Sequence, residues 1–576
     1  MNRLFPLCAV LLAAVPLRAG EDAAKLFDDY WAAQMRHSPL TATYLAIPGY
    51  DDQLDDNGPD GRAARKAENY ALLKRARSLR LKSLSREERL SVAVMKSMLQ
   101  NALEKSALPF HELDINHLDG GQSWIPVVIE TSQPMKDESD AAKLEKRLKA
   151  IPLHFIRQQD NLRAGLDHGR VAARVPVEKV MRQIEEMLAL PLEQTPYARA
   201  CDRLPEALRT TWTPRLLSVV QAEVRPALRS FVSFLKDDYL PQTRTDAIGL
   251  SAVPGGGAMY RHAVVSQTTV LDRSAEDLHQ LGLTELDSIS VEIKQLMRRA
   301  GHAGDLESFY DSLRSNPKNF FATREEVLSS AEAMVAKART RLPAWFDAIP
   351  QIPLVVKPVE DFQEKNQVAA YYFPPSEDLS RPGVYYVNTY QPSSRPRYGA
   401  AATAVHEGLP GHHLQIASAL ENKELPAFRR HADFVAYTEG WALYAERLGD
   451  EMGLYEEDLA RLGMLSNQAL RAARLIVDTG LHDKSWTRRQ AIEFLKTNTP
   501  LPLEEIEAEV DRYTVWPGQA LAYKVGQIEL MDLREEVASR MGRRFDIKAF
   551  HAAVLRRGPL PLPILREEVR DVFPRN

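Results

Sequence analysis

The chain has 576 residues, 44% of them hydrophobic and 26% charged, with a formal net charge of −4. A chain this long buries a large share of its surface, so a stable core needs no cross-links. Mild acidity without a basic stripe argues against nucleic-acid binding, and two cysteines, Cys8 and Cys201, exclude a thiolate-built zinc site.

Arg3 precedes an apolar run at 7–15 that is too short to span a bilayer, and Leu17-Arg18-Ala19 offers a small residue at a cleavage position. Residues 1–19 therefore read as an export signal, which points to the periplasm or the exterior. Pro6-Leu7 before Cys8 is not a lipidation pattern, and removal of the leader leaves Cys201 alone. The chain then turns helical: residues 25–35, 86–103, 143–150 and 274–297 carry apolar residues at three- and four-residue spacing. Ser85 with Glu88 forms a capping-box pattern, and Glu276 and Asp277 put acids in a first turn. Pro152 is expected to end or kink its helix. The glycines at 255–257 lack a following Gly-Lys-Ser/Thr and read as a flexible turn. Three β-branched or aromatic runs at 353–359, 369–373 and 383–388 predict a small sheet. The expected fold is mostly α, a single unit with an N-terminal helical part at 20–250 and a catalytic part at 251–576.

The chemistry concentrates at His406-Glu407-Gly408-Leu409-Pro410-Gly411-His412-His413. In the His-Glu-x-x-His zinc motif the histidines stand one helical turn apart, with the Glu beside the metal's water. Here that second position is Pro410. On a straight helix His412 points about 120° away from His406, and His413 lies roughly 10 Å further along. Pro410 breaks the backbone pattern and Gly411 permits unusual conformations, so a kinked or bulged helix brings His412 to the metal, with His413 as the alternative. Catalytic zinc takes three protein ligands, and Glu439, on a helix returning after a turn at 424–426, is the best third; Glu446 lies two turns further on the same face. Glu407 is the general base. Downstream, Tyr523 is the first choice for stabilising an oxyanion, and Arg512 and Lys524 for clamping a substrate carboxylate. Asp478 and His482 form another candidate pair, with His482 either catalytic or structural.

With these residues the chain resembles the bacterial domain-of-unknown-function 885 family, whose signature is matched by residues 406–415, together with 383–388, 438–442, 478–482 and 517–526. That family is similar to the gluzincins, helical zinc peptidases with two His and a downstream Glu. The resemblance implies a large gluzincin-like fold with a small sheet beside the active-site helix, Zn2+ as cofactor and a peptide as substrate. It favours His412 over His413, and leaves His413, Gln415, Glu446 and Asp478 in supporting positions. It makes 383–388 the edge strand above the cleft, so that Tyr386 and Asn388 contact an added peptide strand. The rival readings are a zinc amidase acting on cell-wall peptides and a metal-binding protein that captures peptides without turnover.

Overall fold

Local capping signals start the helices where the sequence places them. The hydroxyl of Ser85 accepts from the Glu88 amide, and the Glu88 carboxylate accepts from the Ser85 amide at 2.7 Å. Ser274 and Asp277 close a second such box. The computed structural model describes residues 18–360, 364 and 368–574. The expected export signal lies outside the described residues except for Arg18 and Ala19. The helices that frame the site are α1 (Arg18–His37), α2 (Pro59–Ser78), α3 (Arg86–Ser106), α4 (Glu138–Asp167), α5 (Gly256–Thr268), α6 (Ala275–Arg299), α7 (Arg397–Glu407), α8 (His412–Glu421), α9 (Val435–Glu451), α10 (Asp458–His482), α11 (Leu503–Val515) and α12 (Gln519–Met541). Among the described residues no helix is long and apolar enough to cross a membrane.

Contrary to expectation, Pro152 does not end α4, which runs 30 residues with the proline inside it. Leu148, Ile151, Phe155 and Leu162 are all buried along one face. Their burial outweighs the roughly 3 kcal/mol that an interior proline costs.

The sheet has three strands in the order β1-β3-β2, with β1 Leu354–Pro358, β2 Ala370–Phe373 and β3 Gly383–Val387. β3 runs parallel to β1 and antiparallel to β2. It was expected at the edge and is central instead. Val384, Tyr385 and Val387 are buried, so residues on both faces of β3 need cover, and both of its hydrogen-bonding flanks are taken. β1 and the half-buried β2 are the edge strands.

Two main cores hold the chain. One draws on residues 40–240. The other combines residues 23–99 with residues 250–573, so α1, α2 and α3 pack into the same core as the sheet and the motif helices. The expected boundary at 250 does not follow these cores. Arg86 pairs with Glu568 and Asp571, and Arg557 with Glu87, tying the two ends of the chain together. Cys201 is a free, buried thiol.

Candidate metal centre

The motif helix is divided where a single kinked helix was expected. α7 stops at Glu407, residues 408–411 make a turn containing a cis Leu409–Pro410 bond, and α8 starts afresh at His412. The Gly411 amide donates back to the Val405 carbonyl at 3.0 Å, and the His413 amide to Gly408 at 3.2 Å. Only glycine fits at 411, since a Cβ there would stand 2.0 Å from the His406 carbonyl oxygen. The indole of Trp441, on α9, donates to the Pro410 carbonyl at 2.9 Å and fixes the turn from outside.

This turn brings His412 beside His406, their rings 4.8 Å apart and nearly perpendicular. From α9, the Glu439 carboxylate reaches both, its Oε2 standing 3.3 Å from His406 Nε2 and 3.4 Å from His412 Nε2. The three ligand atoms lie within 4.8 Å of one another. A tetrahedral ion with bonds of about 2.0–2.1 Å separates its ligands by about 3.3 Å, which the two contacts to Glu439 match. Glu439 Oε2 and His412 Nδ1 are buried and have no hydrogen-bond partner within the protein. The site favours positive charge. Burial alone would push the His406 imidazole down, but the Glu439 and Glu446 carboxylates beside it carry it up to about 9. Burial opposes ionisation of Glu439 too, yet the two histidines hold its carboxyl well below the usual range.

Behind the trio, fully buried Glu446 accepts from His406 Nδ1 at 2.8 Å, which aims Nε2 at the centre. His413 points elsewhere. Its Nδ1 accepts from the Tyr372 hydroxyl at 3.0 Å and its Nε2 donates to the Ile352 carbonyl at 3.2 Å, while burial pushes the ring down to about 4. It anchors the sheet and is not among the clustered ligands. Gln415 is buried in α8, its amide unpaired within the protein.

Glu407 follows His406 directly and is half-buried. Its charge, added to burial, raises the hydroxyl of Tyr385 far above its ordinary range. Sequence reasoning picked Tyr386 instead, which stacks on Tyr371 with ring centroids 5.0 Å apart; successive strand residues face opposite ways. Asp433 was also missed. It is open to solvent yet hemmed in by protein, and burial with the neighbouring Glu439 charge raises its carboxyl to about 6. An acid just ahead of the Glu439 helix was the available signal.

Tyr523 arrives on α12 because that helix crosses α9 at backbone contact. A Cβ on Gly526 would lie 1.8 Å from the Ala436 carbonyl oxygen. Its ring lies parallel to that of His406 with centroids 6.4 Å apart, and its hydroxyl accepts from Arg512 at 2.9 Å. Asp478 fixes the start of α12 by accepting from the Gly518 amide and, at 2.6 Å, from Tyr260; burial raises its carboxyl to about 7.

Three sequence-based assignments need correction. Lys524 faces away, about 100° round the helix from Tyr523, where its buried ammonium meets Glu285 at 3.0 Å and Gln527 at 2.9 Å. Asn388 is buried and holds a loop, donating to the Glu364 carbonyl at 2.7 Å and accepting from the Tyr390 amide. His482 is structural: Nδ1 accepts from the Leu250 amide, Nε2 donates to the Tyr513 carbonyl, and burial lowers the ring to about 4.

No curated protein matches the sequence. Solved structures resemble the fold, two of them as follows. A protein of Colwellia psychrerythraea described as a candidate lipoprotein superposes with a TM-score of 0.90 at 26% identity, over 96% of this chain and 99% of that one. A candidate lipoprotein of unknown function from Shewanella oneidensis gives 0.72 at 18% identity, over 95% and 98%. Residues 39–569 match the model described as "Bacterial protein of unknown function (DUF885)", and the chain belongs to that family.

Proposed function

We propose that the protein is an exported zinc peptidase of gluzincin type that hydrolyses short or unfolded peptides. The observation that carries this reading is the spacing of His406, His412 and Glu439, whose contacts at 3.3 and 3.4 Å match the edges of a tetrahedral zinc site, with Glu407 next in sequence. Bound zinc supplies Lewis acidity towards water and the scissile carbonyl. Glu407 takes a proton from the attacking water and delivers it to the leaving nitrogen as the C–N bond breaks. Tyr523 accepts from Arg512, so its own O–H is free to donate to the developing oxyanion. An extended peptide has the free side of β2, rather than β3, on which to add a strand. Export is supported by the leader-like residues 1–19 and by the Colwellia psychrerythraea relative described as a candidate lipoprotein.

The test pairs metal analysis with cleavage of a quenched mixed-peptide library by wild type and Glu407→Gln. One zinc per chain is expected in both, with hydrolysis in the wild type alone. Stoichiometric zinc in a wild-type protein that cleaves no peptide would overturn the reading.

A further inference from the structure

The wall beside Tyr523 holds more positive charge than the protein neutralises. Three guanidiniums surround that ring, Arg474 at 4.5 Å from its centroid and Arg471 and Arg512 each at 5.8 Å. Arg474 is held by Glu509 at 2.6 and 2.9 Å and donates to the Tyr513 hydroxyl. Arg512 meets Glu509 at 3.4 Å and donates to Gln519 and Tyr523. Arg471 is different. Among the described residues no hydrogen bond or ion pair holds it, and its Nε, like Arg512 Nε and Arg474 Nη1, is buried without a partner while the residue as a whole is half-buried. The remaining acid nearby is Glu505, and burial together with the Glu509 charge raises its carboxyl, against the pull of Arg395, Arg471 and Arg474. Four arginines thus face two carboxylates, one of them discouraged from ionising. A half-buried guanidinium without an anion is costly, and planar bidentate recognition of a carboxylate is what its fork is suited to.

We propose that Arg471, helped by Arg512, anchors the free C-terminal carboxylate of a bound peptide, so that the enzyme acts from the C-terminal end. This rests on the peptidase reading for its substrate, and reach supports it. Arg471 and His406 both contact the Tyr523 ring, at 5.8 and 6.4 Å from its centroid, so the guanidinium lies within about 12 Å of the His406 ring. At about 3.3–3.6 Å per extended residue, a carboxylate held there stands one to three residues beyond the scissile bond.

The experiment uses zinc-loaded full-length Glu407→Gln, which binds without turnover, and calorimetric titration with N-acetyl-pentaalanine as free acid and as C-terminal amide. The acid is expected to bind about 10- to 100-fold more tightly, the range for a hydrogen bond to a charged group. Adding Arg471→Gln should erase the difference and Arg471→Lys should restore part of it, with cooperative melting retained in both. An amide carrying an internal Glu should bind like the plain amide; if it binds like the acid, the site takes side-chain carboxylates and the C-terminal assignment fails. Equal binding of acid and amide, no binding of either, or a preference that survives Arg471→Gln likewise overturns the anchor. If the acid preference holds but wild type releases no product, the anchor stands and the hydrolytic reading alone falls. With active wild type, mass spectrometry should find C-terminal fragments of one to three residues.

Discussion

At the scale of single residues, the most informative contact is the 2.8 Å bond from His406 to Glu446. Glu446→Gln keeps the shape but removes the charge that orients His406. Zinc affinity should fall about 10- to 100-fold in chelator competition, with little change in the fold. His412→Ala should lose zinc while His413→Ala keeps it, because His413 is occupied by Tyr372 and Ile352. Much of this was legible. Glu439 and Glu446 follow from helical spacing, and Glu407 from its neighbour. His412 over His413 was readable only through the Pro410-Gly411 break and the family resemblance, since the turn at 408–411 has no period from which a direction can be read. Lys524 and Asn388 misled for a related reason: residue type announces a donor, but only packing decides which way it faces.

At the scale of elements, the turn between α7 and α8 is held by one side chain from α9. Trp441→Phe keeps an aromatic ring, though a smaller one, and removes the donor, leaving the Pro410 carbonyl without its 2.9 Å bond. A cost of about 1–3 kcal/mol is expected by denaturant titration, and zinc should raise the melting temperature less than in wild type. The start of α12 depends on Asp478, whose folded carboxyl titrates near 7 against an ordinary 3.8. The folded state therefore holds a proton that the unfolded chain has lost between those values. Through Asp478, stability should decline as pH rises from about 4 to 7. Asp478→Asn keeps an acceptor for Tyr260 and Gly518 and should gain stability relative to wild type at pH 8 compared with pH 5. The helices were readable from capping and periodicity. The strand order was not, because apolar runs show that strands are buried without showing which one lies between the others.

At the scale of the molecule, the core that carries the site is closed by the first hundred residues. α1, α2 and α3 contribute Leu26, Tyr30, Leu73 and Leu99 to it. A fragment of residues 251–576 should lack a cooperative thermal transition by circular dichroism, because it exposes the apolar surface these helices cover; native-like melting of that fragment would show that it folds alone. Periodicity and capping made a mostly helical chain legible, but the path of the N-terminal helices across it rests on contacts far apart in the chain.

Cys201 lies in the core drawn from residues 40–240, buried and unpaired, with burial raising its thiol to about 11. A thiolate is the reactive form, so the folded protein shields this sulfur twice, by access and by protonation. In the chain without its first nineteen residues it is the sole sulfhydryl, which makes it a clock. A coloured thiol reagent will react only during openings of that core, and its rate across denaturant separates fraying from global unfolding without any engineered label. Refolding can be run in strong reductant, since no cross-link among the described residues has to re-form.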